Sequence, residues 1–202
     1  MPPRGPSYIH LEMRRFLVVL GALVLAGVPI AYLILKAPPI EVKPLPRKNP
    51  TSYVFHASAD DVFVAVPMGF HRQDSFRFAP TATFTAETSS GTHLKSATLV
   101  SNTGHDPIGK SRAYFARGVA LDYLADFEVN ISGRGDQSTE VVIKALHPEV
   151  INGRRFGFGS CGPGFANRYV PVEATTIEEY EILLRIGQAL GEKDMPPLIL
   201  PP

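Results

Sequence analysis

Residues 16–35, FLVVLGALVLAGVPIAYLIL, run for twenty positions without a charge. A helix rising about 1.5 Å per residue needs roughly 20 apolar residues to cover a bilayer core of about 30 Å. The stretch therefore predicts a transmembrane helix. Arg14 and Arg15 bound it on one side and Lys36 on the other. Pro29 removes one backbone hydrogen bond inside the span and kinks it, which membrane helices tolerate. Tyr32 falls near the far interface, although no tryptophan is present to anchor it there. The competing reading is a cleaved signal peptide, with Val24-Leu25-Ala26 before Gly27 as the cleavage site. The apolar run continues nine residues beyond that point, which favours a retained signal anchor. Basic residues flank both ends, so the positive-inside rule does not choose an orientation cleanly. A short leading tail before a long domain favours single-pass membrane localisation with the globular domain extracytoplasmic.

The chain then divides by composition. Residues 1–15 form a tail, 16–35 the anchor, 36–50 a proline-rich linker, 51–191 one globular domain, and 192–202 a proline-rich apolar tail. The 166 residues after Lys36 suffice for one domain with a proper core. That part carries 16 basic and 18 acidic residues, a net charge of −2, which argues against a nucleic-acid partner. Cys161 is the only cysteine, so no disulfide forms within the chain. Five prolines in residues 37–50 predict an extended, semi-rigid spacer.

Within the domain, residues 51–56, TSYVFH, read as a first strand. Ser58-Ala-Asp-Asp61 is a helix-start signal, and Pro67 predicts a short helix because it disfavours α conformation at Val66. Residues 81–88 and 92–101 read as partner strands, and 112–117 as another short one. The clearest pattern is at 121–147. Tyr123, Ala125, Phe127, Val129 and Ile131 alternate with Asp126, Glu128 and Asn130, and Val141, Ile143 and Ala145 supply a return strand after a turn at 132–138. Residues 153–167 are glycine-rich and predict a loop, followed by a short strand at 168–172. The last helix carries the stripe Ile177, Tyr180, Leu183, Leu184, Gly187 and Leu190. Thr175 with Glu178, and Thr176 with Glu179, match capping boxes; Glu181 and Arg185 form an i, i+4 pair; Gly191 ends the helix. The fold class is α+β: an N-terminal transmembrane helix, then an antiparallel sheet packed against an amphipathic C-terminal helix.

The opening SYVFHASADDVFVAV and the closing TTIEEYEILLRIGQALG, with the strands between them, resemble the START and Bet v 1-like (SRPBCC) helix-grip superfamily over about residues 51–191. The last helix is shorter than usual there, and the glycine-rich stretch is foreign to it. The resemblance implies a cavity for an apolar ligand between sheet and helix, and no catalytic residue.

Motifs that could carry chemistry give way to simpler explanations. Gly157–Gly162 fits G-x-G-x-x-G, but Pro163 and Gly164 follow where a dinucleotide site requires a helix. Cys161 lacks a base placed beside it, and His147 is merely the nearest in sequence. His56, His71, His93, His105 and His147 lack zinc-like spacing. Asp60 and Asp61 suit a helix N-terminus. Arg134-Gly135-Asp136 is a turn composition, and Asn130-Ile131-Ser132 a formal glycosylation acceptor. No catalytic, cofactor-binding or metal residue is assigned. The expectation is a membrane-anchored, non-enzymatic binding domain. Its partners would be a lipid bilayer through residues 16–35 and an apolar ligand. The alternatives are an accessory subunit bound to a membrane protein partner, or an enzyme using Cys161 or the Asp60–Asp61 pair.

Overall fold

A computed structural model describes residues 37–70, 83–87, 94–101, 107–159 and 162–202. These form eight strands and two helices: β1 Glu41–Val42, β2 Ser52–Phe55, α1 Ala59–Phe70, β3 Thr83–Glu87, β4 Ser96–Val100, β5 Gly109–Ala116, β6 Val119–Gly135, β7 Ser138–Gly159, β8 Gly162–Pro171 and α2 Ile177–Leu190. The class is α+β, with a curled antiparallel sheet and two helices.

No helix among the described residues is long and apolar enough to cross a membrane. At 12 and 14 residues, α1 and α2 cover about 18 and 21 Å, short of the ~30 Å required. The expectations of a membrane protein, a transmembrane helix, a signal anchor and single-pass localisation with an extracytoplasmic domain are corrected by this finding. Residues 1–36, with the apolar run at 16–35, lie outside the described residues.

The chain forms two compact units. The larger holds Pro39–Asn152 and Arg168–Pro202, and the long β6–β7 hairpin is its spine. Strands β5 and β4 pair along one edge of β6, and β1 and β3 continue beyond them; β2 and β8 pair with β7. The period-two expectation holds. Tyr123, Ala125, Phe127, Val129 and Ile131 are buried in β6, opposite Val141, Ile143 and Ala145 of β7. One-residue register shifts at Leu124/Asp126 and Gly133/Gly135 mark bulges, which bend strands and increase twist, and the β5–β6 ladder is irregular between Lys110 and Phe115. The turns are tighter than the sequence suggests. Strand pairing persists to Gly135, leaving Asp136 and Gln137 as the β6–β7 turn. Arg117 and Gly118, both at positive φ, close β5–β6 in two residues.

Helix α1 starts as expected. The Ser58 hydroxyl accepts from the Asp61 N–H at 3.2 Å and donates to the Asp61 carboxylate at 2.6 Å. It does not stop at Val66, however, but runs through Pro67 to Phe70. Packing outweighs the missing hydrogen bond: Gly69 lies against Ile182 and Ile186 of α2, and the Phe70 ring sits 6.2 Å from Phe127. Helix α2 forms neither of its two predicted capping boxes, although the Thr175 and Glu178 side chains do meet. Thr175 donates to Glu178 at 2.6 Å. Thr176 is itself the N-cap, at φ 62, and makes no side-chain cap bond; its hydroxyl instead accepts from the Asn49 N–H at 2.9 Å. Gly191 ends α2 at φ 78, as expected.

The proline-rich segment 37–50 is not a free spacer. Residues 41 and 42 pair with Phe115 and Tyr114, and Ile40 and Leu45 pack on the core. Asn49 is buried, and its side chain takes both backbone groups of Ile199: Nδ2 donates to the carbonyl at 2.9 Å and Oδ1 accepts from the N–H at 2.8 Å. Asn49→Ala is expected to cost about 2 kcal/mol, because two part-buried hydrogen bonds to the Ile199 backbone are lost at once. A urea midpoint shift reads this directly, and an unchanged midpoint would refute it.

Among the described residues, the smaller unit holds 37–38, 153–159 and 162–167. Its glycine-rich stretch was expected as a loop, yet β7 extends to Gly159 and β8 begins at Gly162, and the two pair. Glycine lowers strand propensity but keeps its N–H, so a paired ladder can still form through it.

Candidate functional site

Two places in the larger unit concentrate polar chemistry or open surface. The first is an open groove of about 460 Å³ beside α1. Its wall is the outward face of α1, where Asp61, Val64 and Met68 recur at helical spacing. Val64 is 68% and Met68 56% exposed, high for large apolar side chains. Ala65, Ala189 and Leu190 add apolar surface, while His56, Asp61 and Gln137 supply polar groups at its margin. Helix packing explains the exposure. α1 turns Val62, Val66 and Phe70 inward, so the 3.6-residue repeat carries Val64 and Met68 outward.

The second is a buried polar cluster under the first turn of α2. Glu178 and Glu179 are 7% and 2% exposed. Burial pushes the Glu179 carboxyl up to about 7; the neighbouring Glu178 charge adds to this, and hydrogen bonds from backbone N–H groups, including that of Ala145, oppose it. Burial also raises Glu178, against the pull of Thr175 and Arg112. The Tyr123 hydroxyl, buried on β6, is raised by the same loss of water and by both carboxyls. Tyr123 Oη and Glu179 Oε2 make no hydrogen bond. Above this cluster Glu181 joins two guanidiniums, accepting from Arg185 at 2.5 Å and meeting Arg112 of β5 at 3.0 Å. The Glu181–Arg185 pair was legible from spacing; the Arg112 contact, from a distant strand, was not.

This cluster is sealed, so a substrate could reach it only by undocking α2. Its plain consequence is energetic. Tyr123→Phe is expected to stabilise the fold by about 1 kcal/mol, since it removes a buried hydroxyl that has no partner. Thermal melts of the two proteins check this; a lower Tm in the variant would show that the hydroxyl is satisfied.

The residues singled out by sequence do not converge. Asp60 accepts from the Leu94 N–H at 2.9 Å and pins the chain entering β4, while Asp61 is bound to Ser58. The His56 side chain is 84% exposed, and its backbone N–H donates to Glu192 at 2.6 Å. His147 sits at φ 49 in β7. His71, His93, His105 and Cys161 lie outside the described residues. Arg134 turns to Glu140 at 2.6 Å. The Asn130 amide is engaged with Thr98 and Glu128, both at 2.7 Å. Among the described residues no three His, Cys, Asp or Glu side chains gather as a metal site.

The sequence missed both places. Glu178 and Glu179 were read only as capping partners. Val64 and Met68 were not singled out, although their i, i+4 spacing outside the buried stripe of α1 was the available signal. The chain matches no protein-family model, no curated protein and no solved structure.

Proposed function

We propose that the protein is a non-catalytic binding module of helix-grip type, and that an apolar ligand sits in the groove beside α1. One observation carries this reading: Val64 and Met68, two large apolar side chains one turn apart, stand exposed over a groove of about 460 Å³. That volume reaches the range of small-molecule sites, and because the groove is open a ligand would lie along it with one face in water. His56, Asp61 and Gln137 are the polar groups available here. The element order supports the helix-grip type, with strand and helix first, antiparallel strands next and a second helix last. The ligand position differs from the one the resemblance implies. Phe55, Phe127, Tyr180, Leu183 and Ile186 are all 0% exposed and fill the layer between sheet and helices where they lie.

Titration with the neutral fluorophore N-phenyl-1-naphthylamine tests the reading. Saturable one-to-one binding is expected, weakened at least about tenfold by Val64→Asp with Met68→Asp, a loss of about 1.4 kcal/mol. Both positions face water, so the variant keeps its fold. Non-saturable binding, or equal binding by the variant, would exclude the groove.

A further inference from the structure

Residues 195–202, MPPLILPP, lie across the larger unit and are held mainly through their backbone. Asn49 commits both ends of its amide to Ile199, and the Tyr180 hydroxyl donates to the Pro196 carbonyl at 2.6 Å. Asn49 is 4% and Tyr180 0% exposed, so both side chains belong to the domain rather than to its surface fringe. Gly187 completes the cleft. A Cβ there would collide with the Met195 sulfur, and it would stand 3.4 Å from the Phe55 ring. The missing side chain is thus the notch that admits Met195, an unbranched side chain suited to irregular gaps.

We propose that the cleft formed by Asn49, Phe55, Tyr180 and Gly187 is a reader of proline-rich segments, filled here by the chain's own residues 195–202, and that it takes the same segment from a second copy of the chain. Three features carry this. Hydrogen bonds to backbone groups do not depend on which chain supplies the backbone. Four of the eight residues are prolines, which fix φ and reduce the ordering cost of docking, the property exploited wherever proline-rich segments are recognised by aromatic-lined grooves. The segment is also the detachable partner. No residue from 191 to 202 is buried, and the connection to α2 runs through Gly191, Glu192, which accepts from the His56 N–H, and the exposed Lys193 and Asp194. Its release therefore uncovers far less apolar surface than unfolding does, and it frees both ends of the Asn49 amide for another backbone. Exchange of identical segments between copies is a low-cost route to association.

The test uses the isotopically labelled full chain and a synthetic peptide of residues 195–202, the second copy's segment in isolation. The attached segment competes at an effective concentration of order millimolar, so the peptide is taken to about 5 mM. The Ile199 amide, which donates to Asn49, reports occupancy. The Ile143 amide, held by the Thr51 carbonyl at 2.8 Å, reports the fold. Ile199 exchange is expected to rise at least about tenfold with peptide while Ile143 is unmoved, corresponding to about 1.4 kcal/mol. A peptide N-methylated at the isoleucine corresponding to Ile199, unable to donate to Asn49 Oδ1, should need at least about ten times more. Unchanged Ile199 exchange, equal potency of the methylated peptide, or parallel acceleration at Ile143 would each overturn the proposal.

Discussion

Glu179→Gln is expected to raise stability at pH 8 by about 3 kcal/mol and to leave it nearly unchanged near pH 4. Burial is the largest cause that moves the Glu179 carboxyl from its ordinary 4.5 up to about 7 in the fold. A displacement of one pH unit in a titration midpoint corresponds to about 1.4 kcal/mol, which sets the size of the effect. The sign follows from proton counts. Between pH 4.5 and 7 the folded protein holds a proton that the unfolded chain has released, so stability falls as pH rises. Below that window both states are protonated and the group is neutral in each. Above it the fold carries a buried carboxylate whose Oε2 has no hydrogen bond. Glutamine keeps the shape of the neutral acid at every pH. Glu178, raised by burial in the same turn, leaves the variant a residual slope. Urea midpoints at about pH 5, 6, 7 and 8, spanning that window, would show this as two converging lines. Equal slopes for parent and variant would mean that Glu179 is solvated or paired.

That carboxyl also shows where sequence stops being informative. A glutamate three residues after a threonine is a good local reason for a capping box, and at Thr175–Glu178 it brings the two side chains together, though they bond to each other instead of forming the reciprocal box with the backbone. At Thr176–Glu179 it fails, because Asn49, 127 positions away, takes the threonine hydroxyl and the helix starts from a left-handed residue. The strands with period two were legible because one buried face forces alternation within the chain itself, as from Tyr123 to Ile131. The helix stripe of α2 was legible for the same reason. The path of residues 37–50 and 192–202 was not, since prolines announce only what a segment cannot do. What places them is the buried Asn49 amide and the notch at Gly187, and both are properties of pairs distant in sequence. The groove beside α1 belongs to the same class: Val64 and Met68 can be placed on one face from spacing, but Leu190 and Gln137 reach that face only through the fold.

Gly69→Val is expected to destabilise the protein by about 3 kcal/mol, although local propensity argues the other way. Glycine inside a helix is about 1 kcal/mol worse than alanine, so an isolated α1 would gain from almost any replacement. The contact with α2 decides the outcome. A Cβ at Gly69 would stand 2.8 Å from Ile186 Cγ1 and 3.1 Å from both Ile182 Cγ2 and the Ile182 carbonyl oxygen. The Ile186 side chain, fully buried, has little room to rotate away. The carbonyl belongs to the helix backbone and can yield only if α2 itself moves. A valine adds two further methyl groups to that approach, so the helices must separate, and Phe70 would be drawn from its place against Phe127. A double-mutant cycle isolates the cause. Ile186→Ala alone should cost about 3 kcal/mol as a core truncation. Combined with Gly69→Val it should cost at least about 1 kcal/mol less than the sum, because the smaller residue opens the space that valine needs. Strict additivity would place the penalty on the carbonyl contact alone, whereas a stabilised Gly69→Val would mean that the two helices do not meet at this glycine.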